Sequence, residues 1–374
     1  TGLRALAVAA AMVPEPPRPD EPRGLRPLGL IGIGDPVREA APDIAEAFTR
    51  AGIRLVLITG DHPGTAAAVG ARLGICADGD QVVCGDKYPL EPERADQATV
   101  FARIQPEQKL DIIAALQDRG HVVAMTGDGV NDAPALRRAD IGVAMGGGTE
   151  VARQAADLVL VDDNLGTVAT AVGEGRRIYD NIRRFLRYGL SGGTAEILVM
   201  LIGPFFGLAV PLLPAQILWV NLLTHGLPGV ALGAEPAEPD AMHRPPRSPR
   251  ESVLGAGLAR AVLFTGVLIA SVALGVGVVA YRMERPWQSM VFVVLGLAQL
   301  GVALAVRSRR AAGTPGNPGL LWAVALSGVL QIAGVLSPPL QALLGTQRLG
   351  VTELLACAAV ASLPGIAVRL LPRV

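Results

Sequence analysis

The sequence is poor in cysteine and lysine, and its charges cancel. Its three cysteines among 374 residues show no metal-ligand spacing and are too few for a disulfide framework, so we expect reduced thiols. The 33 basic and 33 acidic residues give a net charge of zero, which predicts no nucleic-acid partner. Lysine occurs only at Lys87 and Lys109. These shortages exclude a small disulfide-stapled protein and a basic nucleic-acid-binding protein.

Apolar residues, in contrast, are abundant. They make up 51% of the chain, and the mean hydropathy of +0.42 is too high for a protein that is soluble throughout. We therefore expect part of the chain to lie in a lipid bilayer. A chain of this length has room for two or three domains.

The most informative segment is Met125–Leu136, which reads MTGDGVNDAPAL. It follows a short β-branched run that predicts a buried strand over 121–125. Gly127 and Gly129 come next, where larger side chains would block a close ligand. Asp128 stands at the carboxyl end of the strand, which is the edge where open α/β sheets bind ligands.

Two carboxylates in this segment, Asp128 and Asp132, are four residues apart and can share one hard cation. Oxygen ligands of this kind favour Mg²⁺ over Zn²⁺. Asn131 and Asp132 also open the next helix, whose N-terminal amides favour an anion nearby. The segment therefore predicts a magnesium and phosphate site. A surface turn that caps a helix is the alternative for an Asp-Gly pair alone.

Residues 126–134, Thr-Gly-Asp-Gly-Val-Asn-Asp-Ala-Pro, resemble the hinge motif of P-type ATPases. These are cation pumps whose phosphorylation domain has the haloacid-dehalogenase fold. Four other segments are similar to motifs of the family and follow its order along the chain: Asp35–Arg38, Thr59–Asp61, Pro106–Lys109 and, as in the calcium-pump branch, Pro245–Pro249. The resemblance covers almost the whole chain and is to the C-terminal portion of a type II pump.

The resemblance implies a role for each matching residue, with ATP and Mg²⁺ as cofactors. Asp128 and Asp132 would form the Mg²⁺ site with support from Asn131. Thr59 and Gly60 would hold phosphoryl oxygens, and Lys109 would neutralise their charge. The nucleotide and the hinge would be positioned by Asp61, Asp35 and Arg38.

The same resemblance predicts that parts of the pump are missing from this chain. The family's phosphorylated aspartate belongs to an Asp-Lys-Thr-Gly motif that does not occur here. The actuator segment, the first four membrane helices and most of the nucleotide-binding domain have no counterpart either. In the family the nucleophile's strand lies between the strands that end at Thr59 and Asp128, so we expect a gap or a re-paired sheet. We also expect the isolated chain to be inactive without its N-terminal half.

Alternating apolar strands and amphipathic helices predict an incomplete haloacid-dehalogenase-like α/β domain over 24–175, Rossmann-like with a parallel sheet. Residues 1–23 are predicted to be a remnant of the nucleotide-binding domain and a linker. The stretch 14–27, which is rich in proline, arginine and acidic residues, is predicted to be a linker or surface loop. The predicted strands are Leu28–Ile33, Ile53–Ile58, Val100–Ile104, Val122–Met125, Ile141–Ala144 and Leu158–Val161, and the predicted helices are Val37–Ala51, Pro63–Leu73, Pro106–Arg119 and Ala133–Ala139.

Residues 176–374 are predicted to form an all-α transmembrane bundle of six helices, each near the ~20 residues that cross a bilayer. The spans are 188–213, 215–234, 254–281, 288–306, 319–337 and 351–371. Arginines cluster before the first span and in the loops after the second and the fourth. The positive-inside rule therefore places the α/β domain and the C-terminus in the cytoplasm of an integral protein, which we expect in the plasma membrane.

Polar groups inside apolar spans are costly and are therefore candidates for the transport site. Glu196 lies in the first span, and Asn221, Thr224 and His225 lie in the second, beside a Leu227-Pro228 break. The resemblance assigns ion binding to the positions of Glu196, Asn221 and Thr224. The family's calcium pumps carry Asp at the position of His225, so two conventional Ca²⁺ sites are not expected.

Several alternatives remain open from the sequence. The cargo can be one divalent ion, a monovalent ion or protons, and His225 can instead be a group hydrogen-bonded at a helix interface. A membrane-anchored phosphatase of the haloacid-dehalogenase type would need its own nucleophile, which is not present. A non-catalytic fragment is a third interpretation. Heavy-metal pumps fit poorly because they have two spans after this domain, and lipid flippases are a weaker match.

Overall fold

The computed structural model describes residues 4–11, 24–34, 36–76, 82–87, 92–309 and 316–370. The chain divides into two compact units. The first comprises Thr1–Ala171 and Met242–Pro249, and the second comprises Val172–Ala241 and Arg250–Val374. Most of the linker predicted at 14–27 lies outside the described residues.

The first unit is built from short strands and helices that alternate along much of its length. The strands are β1 (Arg4–Ala10), β2 (Arg26–Ile33), β3 (Leu57–Ile58), β4 (Val83–Cys84), β5 (Val100–Ala102), β6 (Ala124–Gly127), β7 (Ile141–Met145) and β8 (Leu158–Leu160). The helices are α1 (Ala41–Arg50), α2 (Pro63–Arg72), α3 (Pro92–Gln97), α4 (Pro106–Asp118), α5 (Ala133–Arg138) and α6 (Glu150–Ala155).

The strands form three separate sheets. β1 and β2 make an antiparallel hairpin, in which Leu6 lies opposite Ile31. The other two sheets are parallel and three-stranded, with the orders β3-β5-β4 and β6-β7-β8. The parallel sheets, with helices in their connections, confirm the predicted fold class of this unit.

The two parallel sheets are divided between β3 and β6. Among the described residues, β3 pairs only with β5 and β6 only with β7, so each strand has one edge without a hydrogen-bonded neighbour. The inner strand β5 is fully buried, whereas the residues of β3 and β6 are half-buried or exposed. Thr59 follows β3 and Asp128 follows β6, so the division falls where the sequence predicts a missing strand.

Helix α4 holds the two parallel sheets beside each other. Its Ile112 packs with Phe101 of β5 in an apolar cluster, and Val123, just before β6, packs against the same cluster. Asp140, just before β7, accepts hydrogen bonds from the Val123 amide at 2.8 Å and from Gln117 Nε2 of α4 at 3.1 Å. The hydrogen bond from the Val123 amide, and to a lesser extent the one from Gln117, holds the pKa of the Asp140 carboxyl below its usual range.

Two strand predictions need correction, and two strands, β1 and β4, were not predicted. The sequence predicts Leu28–Ile33 in the parallel sheet, but it pairs antiparallel with β1, a nearby apolar strand that a hairpin can reach without a crossover. Only Leu57 and Ile58 of the predicted strand Ile53–Ile58 form a ladder. The sequence does not predict β4, because two residues are too few to show a periodicity.

The second unit is helical. Its helices are α7 (Gly166–Ile202, which begins in the first unit), α8 (Pro214–Asn221), α9 (Leu227–Leu232), α10 (Leu258–Arg282), α11 (Trp287–Ala305), α12 (Pro318–Leu336), α13 (Pro338–Leu344) and α14 (Val351–Leu370). A π-helical turn, Leu222–Gly226, joins α8 to α9. In the described part of the chain, the helices long and apolar enough to cross a membrane are α7 with the 3₁₀ turn after it, α10, α11, α12 and α14.

The second predicted span, 215–234, is not one long helix. It consists of α8, the π-turn and α9. Because neither α8 nor α9 is long enough to cross a bilayer alone, five helices among the described residues meet the length requirement instead of six. Pro228 stands in the first turn of α9 and has no amide hydrogen to donate to the carbonyls of the π-turn before it. The six-span arrangement stays a prediction.

Helix α11 lies at the core of the second unit. The residues Val291 to Leu295 are fully buried all round the helix, as expected for a helix surrounded by others. Close packing with α14 depends on small residues: a Cβ added to Gly365 would come within 2.8 Å of the carbonyl oxygen of Gly301. Such close backbone contact is typical of membrane helix pairs.

We predict that Gly142→Ala destabilises the first unit, whereas Gly29→Ala does not. A Cβ on Gly142 in β7 would lie 2.6 Å from the carbonyl oxygen of Leu136, and the expected cost of overpacking is about 1–3 kcal/mol. Gly29 is a matched strand glycine in β2 with nothing within 4 Å of an added Cβ. Hydrogen exchange of the β7 amides against urea measures the difference, and equal protection in both variants would contradict the packing of β7.

Candidate functional site

The turn after β6 is closed by its own carboxylate. Asp132 Oδ2 accepts a hydrogen bond from the Gly129 amide at 3.2 Å. Gly127 makes this possible, because a Cβ there would lie 2.5 Å from the Cβ of Asp132. Gly127 therefore has a geometric reason: the absence of a side chain lets the Asp132 side chain fold back over the strand end.

Lys109 binds the same carboxylate from the other side. Its Nζ lies 2.6 Å from Asp132 Oδ1, and the two side chains are only 17% and 13% exposed. Lys109 belongs to the first turns of α4, which are fixed by Gln108: its Oε1 accepts from the Gln105 amide, and its Nε2 donates to the carbonyl oxygen of Gly85. The ion pair thus joins a helix that follows one sheet to a turn that follows the other.

The segment Thr59–Asp61 continues β3 beyond its end. The Thr59 carbonyl oxygen accepts from the Ile104 amide at 3.0 Å, and the Asp61 carbonyl oxygen accepts from the Arg103 amide at 3.0 Å. The Thr59 hydroxyl donates to Asp61 Oδ2 at 3.0 Å and accepts from the Asp61 amide at 3.1 Å. This turn leaves Gly60 exposed. Its backbone amide can therefore be reached by a ligand.

A third loop, which the sequence did not predict as part of the site, reaches the same edge after β7. The Thr149 amide donates to the carbonyl oxygen of Asp128 at 2.8 Å. A Cβ on Gly148 would come within 2.9 Å of that oxygen, so only glycine allows this approach. The signal was present in the sequence, since Gly146-Gly147-Gly148 follows a predicted strand just as Gly127 and Gly129 do.

Arg38 contacts the loop that follows β8. Its Nη1 donates to the carbonyl oxygen of Asp163 at 2.7 Å, and Asp163 Oδ1 accepts from the Gly147 amide at 3.0 Å. Asp163 has a positive φ of 52°, a conformation that Asp tolerates better than most residues. Asp35, the other residue expected at the hinge, lies outside the described residues.

The remaining carboxylate, Asp128, is exposed at the tip of the turn, as is Asn131. Because Lys109 already balances the charge of Asp132, Asp128 is the carboxylate placed to face a cation. Among the described residues no group of three or more His, Cys, Asp or Glu side chains forms a metal cage. Mg²⁺ needs no such cage, since it is usually bound by one or two carboxylates together with phosphate oxygens and water, so these residues fit it.

The second unit contains a buried carboxylate held by two amides. Glu196 of α7 is 7% exposed, and its Oε2 accepts from Asn221 Nδ2 of α8 at 3.1 Å. Its Oε1 accepts from Gln299 Nε2 of α11, also at 3.1 Å. Gln299 was not among the predicted site residues, although a polar residue within an apolar span was a usable signal. Glu196 thus connects three helices of this unit.

Thr224 and His225 make other contacts. The Thr224 hydroxyl donates to the carbonyl oxygen of Val220 at 2.8 Å, within its own helix. His225 Nε2 lies 3.1 Å from the carbonyl oxygen of Gly189, and because a carbonyl only accepts, this nitrogen carries the hydrogen. Of the four predicted transport residues, the structure therefore brings Asn221 to Glu196 and directs the hydrogen bonds of the other two elsewhere.

Comparison with known families agrees with both units. Residues 5–140 match the haloacid dehalogenase-like hydrolase family, and residues 110–172 match a second family of the same description. Residues 209–374 match the family described as the C-terminus of cation transporting ATPases. The first match includes Thr59 and Asp128, the second extends over β7 and β8, and the last begins shortly before α8.

Among the similar proteins is a calcium-transporting ATPase of Bacillus subtilis (strain 168), 41% identical over 360 residues, which are 92% of this chain and 40% of that protein. Calcium-transporting ATPase 1 of Yarrowia lipolytica (strain CLIB 122 / E 150) is 39% identical over 358 residues, 92% of this chain and 39% of that protein. The chain belongs to the P-type ATPase family. A probable cation-transporting ATPase F of Mycobacterium tuberculosis (strain ATCC 25618 / H37Rv) is 46% identical over 289 residues, 73% of this chain and 32% of that protein.

Within this P-type ATPase family, the chain corresponds to the C-terminal portion. It spans only 32–40% of the length of these relatives.

We predict that the Lys109–Asp132 pair shows strong coupling in a double-mutant cycle on this chain. Lys109→Met leaves a largely buried carboxylate without its cation, at a cost of about 1–3 kcal/mol, whereas adding Asp132→Asn should recover much of the loss. The free energy of unfolding of the first unit, from hydrogen exchange against urea, measures each corner. Strictly additive effects would show that the pair contributes nothing to holding the turn.

Proposed function

We propose that this chain forms the C-terminal part of an ATP-driven cation pump that works through an aspartyl-phosphate. The main support for the proposal is the split between β3 and β6. Thr59–Asp61 follows β3, and Asp128 and the Lys109–Asp132 pair lie at the end of β6. A nucleophile at the end of a strand between β3 and β6 would meet all of these groups. Covalent catalysis by Asp separates phosphoryl transfer from hydrolysis, so ion movement can be coupled between the two steps.

Each residue then has a defined task. The Thr59 hydroxyl and the Gly60 amide bind oxygens of the phosphoryl group, and the Lys109 ammonium stabilises the negative charge that develops on them. Asp128 would hold Mg²⁺, with Asp132 and Asn131 supporting the turn. The metal, when bound, neutralises phosphate charge and aligns the group for in-line attack. Asp61 and Arg38 position the nucleotide and the hinge.

The transported cation is proposed to bind beside Glu196 in the bilayer. Asn221 and Gln299 contact this carboxylate, and each can turn its amide oxygen towards a cation. His225 stands where the family's calcium pumps carry a carboxylate, so the site has one negative charge fewer than theirs. One divalent ion, one monovalent ion or protons fit this charge, and two Ca²⁺ ions do not.

The remaining proposals concern the setting of the chain. The apolar helices place it in a lipid bilayer, and its arginine-rich loops favour a cytoplasmic α/β unit and C-terminus in the plasma membrane. The nucleophile, the actuator and the first four helices would come from an N-terminal half. The chain alone is then expected to be inactive.

The test is ATP hydrolysis by the complete pump that contains this sequence, measured with Ca²⁺, Mn²⁺, Na⁺, K⁺ and a pH series, beside the isolated chain. We expect at least one cation to stimulate the complete pump, Glu196→Gln to abolish that stimulation, and the isolated chain to show none. Hydrolysis of p-nitrophenyl phosphate by the isolated chain would instead support a phosphatase.

We further predict that His225→Asp increases the preference of the complete pump for Ca²⁺, because it adds an oxygen ligand and a negative charge. The readout is the Ca²⁺ concentration for half-maximal ATP hydrolysis, with His225→Asn as the uncharged control. Cooperative stimulation by two Ca²⁺ ions in the unmodified pump would contradict the role given to His225.

A further inference from the structure

The π-turn Leu222–Gly226 lies immediately before Pro228, and this places two carbonyl groups in an unusual position. In an α-helix a carbonyl accepts from the amide four residues ahead, and in a π-helix from the amide five residues ahead. Proline has no amide hydrogen. Pro228 therefore leaves one carbonyl without a donor in each of the two helical registers.

In the π register this carbonyl belongs to Leu223, since Pro228 is five residues ahead of it. The hydroxyl of Ser327 on α12 supplies the missing donor, with its Oγ 2.9 Å from the Leu223 carbonyl oxygen. Ser327 is fully buried, so no bulk water competes for the contact. A buried carbonyl left without a donor is costly, and Ser327 removes that cost.

In the α register the affected carbonyl belongs to Thr224, since Pro228 is four residues ahead of it. The hydroxyl of Tyr188 on α7 donates to this oxygen at 2.8 Å. Tyr188 is 1% exposed. The hydrogen bond from Tyr188 to Thr224 is formed although the turn is in the π register in this structure. The donor that the Thr224 carbonyl needs in the α register is therefore already in place. Two hydroxyls from two other helices thus cover the two carbonyls that Pro228 can orphan.

Both ends of the segment are held by further side chains. At the start of α8, Gln216 Nε2 donates to the carbonyl oxygen of Leu344 at 3.1 Å. Within α9, the carbonyl oxygen of Ala231 accepts from Asn317 Nδ2 at 2.7 Å, and just after α9 that of Gly233 accepts from Asn181 Nδ2 at 2.9 Å. A register change at the turn between α8 and α9 therefore also has to displace one of these two helices.

We infer that Leu222–Gly226 switches between the π and α registers during transport, and that Ser327 and Tyr188 are the positioning residues that stabilise one register each. The inference rests on the proposed pumping function. A change of one residue in register turns the side chains at the switch by about 100°. His225, which lies in the turn, would leave the Gly189 carbonyl oxygen, so the switch alters the surroundings of Glu196.

The π register is assigned to the cation-free site. In this structure the amides of Asn221 and Gln299 present N–H groups to Glu196, which is the arrangement for a carboxylate without a cation. The α register is then the cation-bound one. Tyr188 donates to Thr224 here as well, but in the π register the Gly229 amide, five residues ahead, is available to the same carbonyl, whereas in the α register Tyr188 is the only donor. Losing Tyr188 therefore costs the α register more, so Ser327 favours the free site and Tyr188 favours the occupied one.

The direct test is cryo-electron microscopy of the complete pump in a metal chelator. The unmodified pump and Tyr188→Phe should both show the π-turn, whereas Ser327→Ala should show Leu222–Gly226 as α-helix. A π-turn retained in Ser327→Ala would overturn the inference. This experiment needs no transported cation, so it tests the register change even if the proposed function fails.

The functional test is a titration of ATP hydrolysis with CaCl₂, MnCl₂, NaCl and KCl. For any salt that stimulates the unmodified pump, Ser327→Ala should lower the half-maximal concentration and Tyr188→Phe should raise it, each by roughly two- to tenfold, as one net hydrogen bond requires. Shifts in the same direction, or no shifts, would overturn the inference. A pump that no salt stimulates would refute the proposed function, and the helical register seen by cryo-electron microscopy would then support or overturn the inference by itself.

Two matched controls separate positioning from a general loss of stability. Ser362→Ala removes a hydroxyl that donates within its own helix to the carbonyl oxygen of Ala359 at 2.7 Å. Tyr281→Phe removes the hydroxyl of a tyrosine that is 48% exposed. Neither should change the half-maximal concentration. A shift in a control as large as that of its test variant would contradict the role of the π-turn.

Discussion

The first unit depends on how its sheet is interrupted. In an open sheet the outermost strands are paired on one side only, and β3 and β6, which precede the motif residues, are both edge strands among the described residues. Helix α4 holds the two halves beside each other through its apolar face and the Lys109–Asp132 ion pair. That pair joins the helix that follows β5 to the turn that follows β6, and we propose that the interruption beside it is the site.

The second unit follows the same physical rule in a bilayer, where buried polar groups need partners. Glu196 is satisfied by two amides from other helices. The carbonyls affected by Pro228 are satisfied by the hydroxyls of Ser327 and Tyr188. In both places the partner comes from a different helix, so a change in one helix alters the hydrogen bonding of the others. We propose that this is how the unit responds to a cation.

The sequence predicts those features whose cause is local. Glycines and carboxylates within one dozen residues are enough to predict the turn at Asp128, and apolar length is enough to predict most spans. Features that depend on distant partners were not predicted: the ion pair of Lys109 with Asp132, the antiparallel pairing of Leu28–Ile33 and the π-turn. The Gly146–Gly148 loop and the role of Gln299 were also missed, because their partners lie far away in the chain.

The most direct measurement of the central claim is the location of the phosphoryl group. The complete pump is incubated briefly with [γ-³²P]ATP and Mg²⁺, quenched in acid and digested, and the labelled peptide is identified by mass spectrometry. We expect a hydroxylamine-sensitive phosphate on the Asp of an Asp-Lys-Thr-Gly motif outside these 374 residues. An acyl phosphate on a carboxylate within them, such as Asp128, would contradict it.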